Sequence, residues 1–182
     1  MTSFSGSLKL PGGAALRFSR PSDQDFLLKL FMAARPWFDW TTLPADGIRA
    51  LYEDQMRLTR MGAGAAYPEH LDFIVERTGQ DIGHLVIDLG YSDWHINFLE
   101  LHPEARGKGI GRDIVQGLQA AAAGVKLPLT VSTPDFLAGA VQFYARLGFG
   151  LIFYQQPMVH LGWCPPGMPW RWPVPQPQPA IS

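Results

Sequence analysis

The chain has one cysteine, Cys164, so no internal disulfide can form, which suits a reducing compartment. It has no excess of either charge. Fifteen Lys and Arg stand against sixteen Asp and Glu, scattered along the chain, which leaves no electrostatic footprint for nucleic acid or an anionic membrane. No run of about twenty apolar residues is present to span a bilayer. Met1 to Gly13 lack the basic segment and apolar core of a secretory signal, so a cytoplasmic location is expected. The histidines at 70, 84, 102 and 160 are too dispersed for zinc-type spacing, and no metal is expected. What is there is a chain of 182 residues, 47% apolar, enough for one folded domain with a sizeable core.

The most informative stretch runs from Ile96 to Gly111. Ile96 to Leu101 is an apolar run of strand type, and Pro103 ends it, because proline cannot donate to a ladder. Glycines then stand at 107, 109 and 111, and Ile110, Ile114 and Leu118 recur at helical spacing behind them. Strand, glycine loop, helix N-terminus is a layout that aims several backbone N–H groups at one point, as an anion site requires. A P-loop would need Lys-Ser/Thr after its last glycine, and Arg112-Asp113 follow Gly111 instead. A dinucleotide fingerprint would need G-x-G-x-x-G, and the spacing 107, 109, 111 does not supply it.

The pattern present is Arg-x-x-Gly-x-Gly at Arg106, Gly109 and Gly111. In this setting it resembles the acyl-CoA pyrophosphate loop of the GNAT (GCN5-related N-acetyltransferase) superfamily. A second segment, Ala140-Val141-Gln142-Phe143-Tyr144-Ala145-Arg146-Leu147-Gly148-Phe149, resembles that family's A-x-x-F-Y-x-x-x-G-F, with the tyrosine and the Gly-Phe pair in register.

The order of elements agrees with the resemblance. Ala15–Phe18 is a first strand. A helix capped by Ser22 carries the stripe Phe26, Leu27, Leu30 and Phe31, and a second, from near Asp46, carries Ile48, Leu51, Tyr52 and Met56 until the glycines at 62 and 64. Leu71–Glu76 and Ile82–Leu89 form a hairpin about Thr78-Gly79-Gln80-Asp81. After the glycine-loop helix come a strand at Leu127–Ser132, a helix at Phe136–Leu147, and strands at Phe149–Tyr154 and Met158–Trp163. The fold class is therefore α/β. The expectation is a single GNAT-type domain over 14–163, with a mixed, mostly antiparallel sheet of about seven strands, splayed at its centre, and about four helices. Residues 1–13 are a lead-in, and 164–182 a Pro/Trp-rich arm.

The resemblance implies direct transfer of an acetyl group from acetyl-CoA to a primary amine of a small molecule or peptide. It implies a ternary complex rather than a covalent enzyme intermediate, with Cys164 outside the motifs. Cofactor-binding residues would be Arg106, Gly107, Lys108, Gly109, Ile110 and Gly111 at the pyrophosphate. Leu99 and Leu101 would hold the pantetheine arm along a strand edge, and the Leu101 N–H would polarise the thioester carbonyl. Tyr144 would be the general acid for the departing thiolate. For the base, alternation along the strand sets His95, Asn97, Leu99 and Leu101 on one side and Trp94, Ile96, Phe98 and Glu100 on the other. His95 and Glu100 both stand as candidates. One departure from the family is Leu137, where many relatives carry an Asn seven residues before the tyrosine.

Trp37, Phe38, Trp40, Tyr52 and Tyr67 are either core or the lining of an acceptor pocket, with core favoured. The arm holds seven of the sixteen prolines with Trp170 and Trp172, and is expected to be extended. The Trp-Arg-Trp unit would dock on its own domain or on a second subunit of a homodimer. The alternative to an enzyme is a catalytically silent GNAT-fold module that binds CoA or serves assembly.

Overall fold

The computed structural model describes residues 8–35, 41–66 and 70–173. Its elements are β1 (Leu8–Lys9), β2 (Ala14–Phe18), α1 (Gln24–Ala34), α2 (Ala45–Ala66), β3 (His70–Arg77), β4 (Gln80–Leu89), β5 (Trp94–Leu101), α3 (Ile110–Gly124), β6 (Leu129–Pro134), α4 (Ala138–Arg146), β7 (Gly150–Gln155) and β8 (Met158–Trp163). The eight strands are hydrogen-bonded in the order β1-β2-β3-β4-β5-β6-β8-β7, the β5–β6 pair being parallel. This is the expected mixed α/β architecture with one strand more. The extra strand is β1, from the segment read as a loose lead-in, where Leu8 and Lys9 pair with Leu16 and Ala15. Two residues are too few to leave a periodicity in the sequence.

The chain divides into two compact units. The first comprises Met1–Leu89 and Asn97–Ile114, the second Gly90–Ile96 and Val115–Ser182, so β5 and α3 each pass from one unit into the other.

In the first unit β3 and β4 form the hairpin read from the sequence. Thr78 and Gly79 both take positive φ, 50° and 77°, the backbone that a two-residue turn needs to match the twist of its strands. Leu16, Val75, Leu85 and Ile87 share one face, Ile74 lies on the other, and all five are buried, so the strands are covered on both faces. α1 buries Leu27, Leu28, Leu30 and Phe31, with Phe26 only half-buried. Tyr52 of α2 packs on Leu28 and Phe31, its ring edge-on to Phe31 at 6.5 Å, and its hydroxyl donates to the Arg35 carbonyl. Tyr52 is therefore core, while Trp37, Phe38, Trp40 and Tyr67 lie outside the described residues.

Three sequence expectations are corrected here. Ser22 caps nothing. It sits inside a 3-10 turn, Pro21–Asp23, whose Asp23 carboxylate accepts the Arg20 N–H at 2.7 Å. Leu51 is exposed, and α2 continues through Gly62 and Gly64 to Ala66. Glycine weakens a helix by only about 1 kcal/mol each, which favourable neighbours offset.

Arg17 ties this unit together. Its guanidinium contacts Asp23 at 2.8 Å, Glu76 at 2.7 Å and Asp81 at 2.9 Å, joining β2 to the start of α1 and to both arms of the hairpin. The Arg17 contacts hold the Asp23 carboxyl below its ordinary value.

In the second unit β8 lies between β6 and β7, with Val131↔Leu161 and Leu151↔Leu161 in register. β6 begins at Leu129, two residues later than expected, because Pro128 cannot donate; its carbonyl instead accepts the Trp94 N–H at 2.9 Å. The parallel ladder covers Trp94↔Leu129, His95↔Thr130 and Ile96↔Val131, while β5 runs on to Leu101 and β6 to Pro134. Ile96, Leu129, Val131 and Leu161 are buried, as are Val115 and Ala122 of α3.

The tryptophans of the arm dock on this same unit. A side chain at Gly162 would place its Cβ 2.6 Å from the Trp172 ring, and one at Gly150 would meet Trp170 at 3.0 Å. The two indoles meet edge to face at 4.9 Å, and the Arg171 Nη1 donates to the Ser92 carbonyl at 2.9 Å. Two glycines on neighbouring strands thus leave the floor on which the indoles lie.

Two outcomes follow. Arg17→Ala leaves three carboxylates without their cation and should cost about 3 kcal/mol in urea unfolding. Because the folded Asp23 pKa is depressed, its contribution is full above about pH 4 and lost as pH falls through the folded value. Melting temperatures from pH 7 to 3 should therefore fall less steeply in Arg17→Ala than in the wild type. Gly162→Val should displace Trp172 and lower Tm by several degrees in calorimetry, about 2 kcal/mol in stability; an unchanged Tm would mean that the docked arm contributes nothing.

Candidate functional site

In an antiparallel pair, successive residues turn their backbone groups to opposite edges. The His102 N–H donates to the Ile82 carbonyl of β4 at 2.8 Å, so Leu101 and Leu99 of β5 turn theirs to the edge away from β4. The Leu101 carbonyl on that edge accepts the Arg106 Nε–H at 2.9 Å, which folds the arginine back along the strand it follows. The Arg106 side chain is otherwise exposed.

Between Arg106 and α3 the chain turns twice into left-handed backbone, at Gly107 (φ 72°) and Gly109 (φ 81°), where a side chain would be strained. A Cβ on Gly109 would also lie 3.3 Å from Arg112 Nη2. The first intrahelical bond of α3 runs from the Asp113 N–H to the Gly109 carbonyl, 3.0 Å. The N–H groups of Ile110, Gly111 and Arg112 consequently have no partner within the helix and aim past its positive end. Ile110 and Ile114 are buried and fix the helix in place. The expected anion cradle is thus contiguous, with Lys108 exposed on its rim. Lys108, His102 and Glu104 also line a broad cleft bounded by Lys29 and Arg77.

A second, smaller cleft of the first unit has walls of Leu27, Phe31 and Met56 from the helices and His84, Phe98 and Glu100 from the strands. Phe98 and Glu100 share it, as alternation along the strand requires. Glu100 carries an ion pair with Arg35 at 2.6 Å, and the Arg35 guanidinium lies 3.8 Å over the Phe31 ring. The carboxylate that stood out in an apolar strand therefore has a partner. His84, set aside in the sequence as one of the dispersed histidines, is a buried wall of this cleft. Its Nε2 is 2.9 Å from Asp72 Oδ1 and its ring is stacked with Phe98. The His84–Asp72 contact holds the Asp72 carboxyl below its ordinary value, against the desolvation that would raise it. The signal that could have found this cleft is the pairing of two spacings, Leu27 and Phe31 on a helix and Phe98 and Glu100 on a strand. Asn97 Nδ2 is buried with no hydrogen-bond partner among the described residues.

In the second unit His95 stands at the ladder position opposite Thr130, its Nδ1 2.8 Å from the Thr130 hydroxyl. That hydroxyl donates to Asp93 Oδ2 at 2.7 Å. Burial pushes the His95 pKa down to about 4, against the nearby Asp93 charge, which raises it, and with His160, which lowers it further. His160 bonds Ser132 through Nδ1 at 2.8 Å and stacks on Phe153 at 4.0 Å. Tyr144 of α4 is buried between Phe143 and Phe149, edge-on to each at 5.0 and 5.3 Å. Burial raises its phenol above the ordinary value. Leu137 is the residue before α4. It offers no capping side chain and is exposed.

Cys164 is half-buried. Among the described residues no group of three or more His, Cys, Asp or Glu could hold a metal ion, and no helix is long and apolar enough to cross a membrane.

Residues 69–150 match the family described as acetyltransferase (GNAT) domain. No curated protein matches the sequence. Among solved structures the chain is similar to PaiA N-acetyltransferase from Thermoplasma acidophilum in complex with coenzyme A. The TM-score is 0.61 at 15% identity, over 83% of this chain and 98% of that one. It is similar to an acetyltransferase from Thermus thermophilus, TM-score 0.62 at 18% identity, over 85% and 99%. It is also similar to Mycobacterium smegmatis RimJ in complex with CoA-disulfide, TM-score 0.60 at 18% identity, over 91% and 88%. At these identities the likeness establishes the fold.

The buried His95 carries its own test. Its ring signals should stay flat in NMR from pH 8 to 5 and move only around pH 4; a midpoint near 6.5 would contradict the burial argument. The sign follows from the depressed folded value: His95 contributes stability fully above about pH 6.5, and that contribution is lost as pH falls toward 4.

Proposed function

This is a GNAT-fold chain with a match to the acetyltransferase (GNAT) domain over residues 69–150, and from that premise we propose an acetyl-CoA-dependent N-acetyltransferase. The acceptor is a primary amine of a small molecule or a peptide. The observation that carries the reading is the glycine cradle. Two left-handed glycines precede a helix whose first N–H groups lack internal partners, on the strand whose Leu99 and Leu101 turn their backbone groups to the edge away from β4. That donor set fits the diphosphate of coenzyme A, and two structures of similar fold, PaiA and RimJ, were solved with coenzyme A and CoA-disulfide respectively.

In this reading the amides from Gly107 to Gly111 hold the pyrophosphate, with Arg106 and Lys108 adding positive charge. Leu99 and Leu101 align the pantetheine arm as an added strand would be aligned. The Leu101 N–H polarises the thioester carbonyl. His95 takes the proton of the attacking amine. The amine nitrogen bonds to the acetyl carbon, the carbon–sulfur bond breaks, and Tyr144 protonates the thiolate that leaves. A buried phenol above its ordinary pKa supports that role, because such a group keeps its proton until a strong base appears. The Arg35 ion pair commits the charge of Glu100, which favours His95 for the base role. Leu137 supplies no polar side chain toward the cofactor, so the backbone cradle carries more of its binding.

Isothermal titration should show acetyl-CoA binding at up to millimolar ligand, and absence of heat there would end the proposal. Gly109→Val should weaken binding about tenfold or more through backbone strain. Tyr144→Phe should lower kcat about 100-fold while the acetyl-CoA Kd holds; an unchanged rate removes the acid role. Free-thiol release across an amine panel separates the enzyme from a silent CoA-binding module, which would bind the cofactor and release nothing.

A further inference from the structure

We propose that Thr130 and Asp93 are positioning residues that fix His95 as its Nδ1–H tautomer, so that Nε2 is the basic nitrogen of the ring. The argument is one of proton inventory. A threonine hydroxyl has a single proton to donate. Thr130 Oγ1 lies 2.7 Å from Asp93 Oδ2 and 3.4 Å from the Trp94 carbonyl, and both of those oxygens accept only. Whichever of the two takes it, the proton is committed. At its third contact, 2.8 Å from His95 Nδ1, the Thr130 oxygen must accept, and the imidazole must present Nδ1–H. The neutral ring carries one proton, so the lone pair is at Nε2.

The surroundings hold this chain in one arrangement. Asp93 Oδ1 accepts the Ser92 hydroxyl at 2.8 Å, which orients the carboxylate and turns its other oxygen to Thr130. Thr130 is buried, and its backbone is held on both sides, by β5 at the His95↔Thr130 position and by β8 at Thr130↔Gly162. Thr130 and His95 are adjacent on parallel strands, so their side chains leave the sheet on the same face. A carboxylate acting through a hydroxyl rather than directly sets the tautomer without placing a full charge against the ring.

The inference rests on the reading of His95 as the base, and its test separates the two. Long-range 15N–1H correlation spectra of the full chain labelled at histidine, at pH 7, report the tautomer of His95 without any turnover. The wild type should show protonated Nδ1 and bare Nε2. Thr130→Val should shift the population toward Nε2–H, and Thr130→Ser, which keeps the hydroxyl, should restore the wild-type spectrum. In the acetyl-transfer assay Thr130→Val should lower kcat about tenfold or more with the KM for acetyl-CoA unchanged, and Thr130→Ser should recover it. A wild-type Nε2–H tautomer, or a Thr130→Val spectrum identical to wild type, overturns the proposal. So does a tautomer shift that leaves kcat unmoved. A wild type that shows the expected tautomer but no thiol release with any amine refutes the base reading and leaves the tautomer assignment standing.

Discussion

Each residue along a strand turns its N–H and C=O to one neighbour only, and that restriction is what the candidate cofactor site is built from. With His102 bonded to β4, the backbone groups of Leu101 and Leu99 have to turn the other way. One of them is already in use, the Leu101 carbonyl holding Arg106, and this bond sets where the glycine loop leaves the strand. The loop in turn sets where α3 begins, and the buried Ile110 and Ile114 hold that helix start against displacement. The order of causes runs from a hydrogen-bond parity to a helix end.

The side chains of interest are governed by a different rule: each has its charge or proton already allocated. Glu100 is neutralised by Arg35, whose cation also rests on the Phe31 ring. Asp93 is the acceptor for two hydroxyls. His95 is kept neutral by burial, and Tyr144 keeps its phenol proton for the same reason. Groups prepared in this way need no rearrangement of solvent before a proton moves, which is the advantage a buried site has over water.

What was legible in the sequence was what is local. The glycine loop and the segment Ala140–Phe149 carry their information within about ten residues, and the hairpin about Thr78-Gly79 carries it in two. The apolar strands could be read because burial leaves apolar runs, as in β4, where Gly83 to Ile87 are all buried. The rest depends on residues far apart in the chain. Nothing near Arg17 announces that Glu76 and Asp81 will meet it, and nothing near Thr130 announces His95, because register across a sheet is decided by the whole fold. β1 was missed because two residues carry no period, and Ser22 was misplaced because a 3-10 turn intervened before the helix. His84 looked like one histidine among several until Asp72 and Phe98 were found against it. In the tail, composition gave an extended arm, but not the two glycines that receive its indoles.

That arm has a consequence in time. The Ser92 carbonyl, one residue before the carboxylate that orients Thr130, accepts the Arg171 guanidinium across a separation of 79 residues. During synthesis, Arg171 is added after β5, α3, β6 and α4. The turn carrying Asp93 therefore receives this hydrogen bond only after Arg171 has left the ribosome. The segment beside Asp93 is thus tied to the far end of the described chain.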